Sequence, residues 1–191
     1  MRTLVVRYAT SAHSVIPGLD DRGLLPPGRY RATTEEVETT FISAPAYGAS
    51  TTRRVVWDDF LHLVELLRAK HVRLPAAFLG GSFTSSDVDP SDVDVTLLYD
   101  SSKIQSQALY AEILRITDDP KGNLGLQVDA FTIPWWPEGD DRMMRSAYLC
   151  DRGRWDDFWQ RHVPKSERFP PQRAHAMPVR GYLEVLLDGY R

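Results

Sequence analysis

Two apolar runs, separated by a glycine turn and an acidic loop, constrain this 191-residue chain more than any other feature. Ala76-Ala77-Phe78-Leu79 is short, wholly apolar and stops at Gly80-Gly81-Ser82, which reads as a buried strand entering a tight turn. Ser82 to Pro90 is polar and turn-rich. Asp92 to Leu98 then alternates, with Asp92, Asp94 and Thr96 on one strand face and Val93, Val95 and Leu97 on the other. The carboxylates of Asp92 and Asp94, at i and i+2, therefore project from the same side.

A third carboxylate belongs to the next predicted strand, Leu126 to Ile133, closed by Pro134. Asp129 interrupts that apolar run, and a charge in a buried strand is costly unless it is paired or coordinated. If the two strands are neighbours, Asp92, Asp94 and Asp129 converge, with oxygens within roughly 5–6 Å, as Mg–O bonds of about 2.1 Å require. Crowding of this kind raises at least one carboxylate pKa. A solvated acidic loop accounts for Asp87, Asp89, Asp92 and Asp94 but leaves Asp129 unexplained. Gly80 and Gly81 let the backbone come close to a phosphate, and Ser82 can donate its hydroxyl and N–H to it.

The other elements follow from capping and periodicity. Leu4-Val5-Val6 reads as a short edge strand, and Ala9 to Gly28 as a long connection. Thr33 with Glu36 forms a capping box for a helix ending near Phe41. Thr51 and Thr52 cap a longer helix to about Lys70, with Trp57, Phe60, Leu61, Val64 and Leu67 facing the core and His62 in a packing or surface role. Ser102 with Gln105 opens a helix carrying Leu109, Ile113 and Ile116, which Pro120 to Asn123 ends. Helices are expected near Arg142–Cys150 and Trp155–Arg161, an irregular stretch from Pro164 to Pro178, and a last strand or helix from Tyr182 to Leu187. Trp155 and Trp159, at i and i+4, read as one packed helix face, whereas one of Trp135 and Trp136 is expected to reach the rim of the site.

Composition bounds the class. With 42% hydrophobic and 26% charged residues the chain is globular, and its length suits one α/β domain spanning 1–191. The core is expected over about 25–133, with a helical or irregular extension over 134–191. The net charge of −3 divides unevenly: 10 Lys/Arg against 6 Asp/Glu from Arg142 to Arg191, and 13 against 20 in the rest. The single Cys150 excludes an internal disulfide and any Cys-rich zinc site. No signal-like N-terminus and no apolar run long enough for a membrane span is present, so a cytoplasmic protein is expected. Gly80-Gly81-Ser82 is not a P-loop, and Ser82 sits in no G-x-S-x-G motif.

Phe78-Leu79-Gly80-Gly81-Ser82 followed by Pro90-Ser91-Asp92-Val93-Asp94-Val95 resembles the polymerase-β-like nucleotidyltransferase superfamily, especially its small minimal bacterial members. The stretch from Leu25-Pro26-Pro27-Gly28 to Phe41 is similar to the opening of small nucleotidyltransferase-like proteins, and the resemblance covers about Leu25 to Ile133. It implies a nucleotidyltransferase fold, a mixed β-sheet flanked by helices. It also implies Mg²⁺ (or Mn²⁺) held by Asp92, Asp94 and Asp129, and a nucleoside triphosphate such as ATP held by Gly80, Gly81 and Ser82. The implied activity moves a nucleoside monophosphate to a protein or RNA acceptor and releases pyrophosphate. The resemblance also brings toxin–antitoxin and phage-defence pairs into view, so a binding-only antitoxin with a cognate toxin partner is the alternative. Relatives often follow Gly-Ser with Arg or Lys; this chain has Phe83-Thr84-Ser85-Ser86. Phosphate binding then needs a basic side chain from elsewhere, with Lys103, Arg142 and Arg145 as candidates.

Overall fold

In the computed structural model, residues 16–145, 147–163, 169–170 and 172–190 are described. The expected strand Leu4-Val5-Val6 lies outside them, as does part of the stretch from Pro164 to Pro178. Five strands form one mixed sheet: β1 (Gly28–Ala32), β2 (Ala76–Gly80), β3 (Val93–Asp100), β4 (Val128–Trp135) and β5 (Gly181–Leu186), in the order β1-β5-β2-β3-β4. β2 is antiparallel to β3 and to β5, whereas β3 with β4 and β1 with β5 run parallel.

Period-2 alternation divides the sheet into two faces. Val93, Val95 and Leu97 of β3, Ala77 and Leu79 of β2, and Leu183 and Val185 of β5 pack into the larger core. That face is covered by α1 (Thr34–Phe41), α2 (Arg53–Arg68) and α3 (Gln107–Thr117). The opposite face presents Phe78, Leu98, Ile133, Trp135 and Tyr182, covered by α6 (Tyr148–Trp159) through Tyr148, Trp155 and Trp159. Two further α-helices are short, α4 (Pro120–Leu124) and α5 (Arg142–Arg145).

The capping box at Thr33 forms, with the Thr33 hydroxyl accepting from Glu36 N–H and the Glu36 carboxylate accepting from Thr33 N–H. At α2 the cap differs from expectation. The Ser50 hydroxyl accepts from Arg53 N–H and Asp89 accepts from Thr51 N–H at 2.7 Å, so neither threonine side chain caps the helix. His62 is exposed, and Leu61 is only half-buried. The helix expected from Ser102 begins instead at Gln107, capped by Ser106. Asp100 accepts the Ser102 N–H and ends the sequence Ser101–Lys103 as a single 3-10 turn. Pro120 does not merely end α3; it starts α4, with Asp119 in the left-handed region as its cap. Pro134 lies inside β4, which tolerates it as an edge strand.

Two strands carry weaker signals. β1 falls just beyond the stretch read as a long connection, and β5 falls in the segment read as an extension, yet β5 sits between β1 and β2. Trp155 and Trp159 do form one packed face, with ring centroids 6.0 Å apart. Trp135 is buried beside Tyr190 and Trp136 lies under Arg142. Both stand at the end of β4 opposite Asp129, roughly 20 Å away at ~3.3 Å per residue, so neither reaches the site rim.

Candidate metal centre

The parallel register of β3 and β4 pairs Asp94 with Asp129 directly, and Asp92 stands just before β3. Aligned residues of neighbouring strands share a face, so all three carboxylates gather at one end of the sheet on the α6 side. One ligand-capable oxygen from each of Asp92, Asp94 and Asp129 lies within 4.8 Å of the others. Three hard oxygen donors at this spacing suit Mg²⁺ or Mn²⁺.

The glycine turn is built against this cluster. Gly81 has φ +66°, and a Cβ there would fall 1.6 Å from Asp94 Oδ2, so only glycine lets the carboxylate lie against the turn. Gly80 is paired with Asp94 across the β2–β3 ladder, and a Cβ on it would meet the Trp159 ring at 2.4 Å. Trp159 is fixed there by its indole N–H, which donates to Thr96 Oγ1 at 3.0 Å. Ser82, half-buried, starts a 3-10 turn to Thr84, and its carbonyl accepts the Ser85 N–H and hydroxyl.

Three basic residues that sequence reasoning missed hold this arrangement. Arg180, 4% exposed, donates to the Gly81 carbonyl at 2.9 Å and to Thr84 Oγ1 at 2.7 Å. Burial lowers its pKa and the nearby Asp94 charge opposes that fall. Lys121, on α4, places Nζ 2.5 Å from Asp92 Oδ2 and 2.9 Å from Asp129 Oδ1. Burial works against the Lys121 charge, but its hydrogen bonds to Asp129 and Asp92 outweigh burial and hold its pKa above the ordinary value. Arg53, 1% exposed, donates to the carbonyls of Phe41, Phe83, Ser85 and Asp87 and stacks 3.8 Å over Tyr47. The loop from Ser82 to Asp89 is thereby tied to the start of α2.

The expected phosphate-binding cations are elsewhere. Lys103 follows Asp100, at the end of β3 remote from Asp94, and Arg142 pairs with Asp140 at 2.6 Å and stacks on Trp136. The Arg145 side chain lies outside what is described. Arg180 escapes sequence reading because nothing in the sequence sets the strand or helix expected from Tyr182 to Leu187 beside the glycine turn, and Lys121 because Pro120 reads as a helix terminator. Asp94 carries the electrostatic consequence of the crowding: burial first, then the charges of Asp92 and Asp129, raise its pKa to about 6.

A mixed five-stranded sheet with helices on both faces and three carboxylates at one end defines an α/β protein with a candidate cation site. The chain belongs to DUF6932, a family of unknown function, whose model matches residues 17–185. No curated protein and no solved structure matches the chain. Among the described residues no helix is long and apolar enough to cross a membrane.

Proposed function

We propose that this protein is a divalent-metal-dependent nucleotidyltransferase with a polymerase-β-like fold. It would move a nucleoside monophosphate from a nucleoside triphosphate to a protein or RNA acceptor, with release of pyrophosphate. The observation that carries this reading is the convergence of Asp92, Asp94 and Asp129 against the left-handed Gly81 turn. Bound Mg²⁺ would supply neutralisation of charge on the attacking and leaving oxygens. Asp92 and Asp94 serve as its ligands. Asp129 joins them and, being about half-exposed (48%), can also orient the acceptor hydroxyl and take its proton. The Gly81–Ser82 turn offers backbone N–H groups and a hydroxyl to phosphate oxygens, and Arg180 keeps that turn in place.

Labelled nucleoside triphosphates, Mg²⁺ and a cell extract, incubated with the protein, test the activity. Label transferred to protein or RNA should fall by orders of magnitude in Asp94→Asn, because phosphoryl-transfer catalysis is largely electrostatic. No transfer with any of the four common nucleotides would count against the reading.

Antitoxin-like binding to a cognate partner is the second reading. Phe131 and Phe158, 41% and 47% exposed, favour it, since apolar rings beside the site suit a protein contact. Cellular function surviving in an Asp92→Ala, Asp94→Ala double mutant would decide for it.

A further inference from the structure

We propose that Lys121 is a built-in cation of the acidic centre, which a divalent ion displaces from Asp92 and Asp129 and which then pairs with the phosphate chain of the bound substrate. This rests on the metal-centre reading above and deepens it. The Lys121 ammonium bridges two of the three carboxylates at 2.5 and 2.9 Å. A divalent ion shared by the same carboxylates, with oxygens at about 2.1 Å, would need the gap that Nζ fills. The two cations are therefore mutually exclusive at that point.

The structure provides for the exchange. The backbone around Lys121 is anchored: Pro120 is buried, Asp119 caps Gly122 N–H at 3.0 Å, and Leu126 N–H donates to the Pro120 carbonyl at 3.2 Å. The side chain itself is 33% exposed, and its flexible stem can swing toward solvent without moving α4. Mg²⁺ bound by a few carboxylates completes its shell with water and substrate phosphates. Phosphate oxygens that complete such a shell would lie beside the ion, away from the carboxylate oxygens that hold it. An ammonium displaced from the carboxylates by one ion's width meets them there. Lys121 thus supplies the compact phosphate-binding charge for which no residue follows Ser82.

The exchange predicts effects of opposite sign, which a merely structural ion pair does not. Mn²⁺ affinity without nucleotide and Mg²⁺–tripolyphosphate affinity are measured on the full chain, for wild type, Lys121→Met and Lys121→Arg, with melting temperatures as a fold check. Lys121→Met should bind Mn²⁺ at least tenfold more tightly and Mg²⁺–tripolyphosphate about tenfold more weakly, and Lys121→Arg should return both toward wild type. Unchanged or weaker Mn²⁺ binding by Lys121→Met overturns the competition, and unchanged tripolyphosphate binding overturns the transfer to phosphate. If neither wild type nor Lys121→Met binds Mn²⁺, the metal centre itself fails and the inference falls with it. Mn²⁺ binding equal in the two proteins sinks only the role of Lys121.

Discussion

At Asp94, burial and two neighbouring carboxylates act in the same direction, and the pKa rises from 3.8 to about 6. The folded state therefore binds more protons than the unfolded chain between these values, and stability falls as pH rises through that window. The contribution is fully present below about pH 4 and lost above about pH 6. The shift sets a ceiling of about 3 kcal/mol, which solvent screening at a half-buried site reduces to about 1–2 kcal/mol. Asp94→Asn removes the charge at nearly constant shape, so at pH 7.5 without divalent ions its melting temperature should exceed wild type by about 3–6 °C. Mg²⁺ should raise the wild-type melting temperature, more so above pH 6 than at pH 5, because protons and metal compete for the same carboxylates. Asp94→Asn should lose that gain. A thermal-melt series across pH with and without Mg²⁺ checks all three; equal Mg²⁺ stabilisation of both proteins would place the ion elsewhere.

At the scale of elements, the site depends on a loop held by a charge in the core. Among the described residues Arg53 meets no carboxylate directly; its guanidinium is satisfied by four carbonyls and three aromatic rings. Burial accordingly lowers its pKa. Arg53→Ala leaves the carbonyls of Phe41, Phe83 and Asp87 without that donor, while Ser85 keeps the Tyr47 hydroxyl; at about 1–3 kcal/mol for each carbonyl that water cannot reach, a loss of at least about 3 kcal/mol is expected in urea unfolding. Arg53→Lys should recover little, because a lysine ammonium cannot span a fork of carbonyls. A loss under 1 kcal/mol in Arg53→Ala would show that the loop is held by other contacts. Helical spacing sets Arg53 on the buried face with Trp57, Phe60 and Val64 and leaves Arg54 exposed, but the carbonyls that satisfy the guanidinium come from a loop distant in sequence. β2 and β3 are legible because their apolar residues alternate or run unbroken, whereas the adjacency and register that unite Asp94 with Asp129 are set by the fold and enter the sequence reading only as a condition. α3 was misread because the Ser102–Gln105 spacing fits a capping box equally well, and the local competitor was Asp100, a side chain on the preceding strand.

For the molecule as a whole, the decisive contacts join residues far apart in sequence. β5 enters between β1 and β2, and Arg180, just before it, holds the carbonyl of Gly81, on the turn against which Asp94 lies. Sequence reading could not place it: Gly181-Tyr182-Leu183-Glu184-Val185-Leu186 is short, and Glu184 interrupts its apolar character. That carboxylate is tolerated because Tyr190 donates to it and Arg29 lies 3.7 Å away, partners visible only in three dimensions. Tyr182, Leu183 and Val185 are fully buried. At about 1.5–3 kcal/mol each, these side chains contribute roughly 5–9 kcal/mol, comparable with the whole stability of a domain. A chain ending at Val179 would also leave β1 and β2 with unpaired edges in the middle of the sheet. It should therefore show no cooperative thermal transition, expose apolar surface to a hydrophobic dye, and give no Mg²⁺-dependent stabilisation. Leu183→Ala in the full chain is the graded counterpart: about 2–5 kcal/mol lost, with Mg²⁺ stabilisation retained. A truncated chain that melts cooperatively within a few degrees of the full one would mean that β2, β3 and β4 hold the centre by themselves.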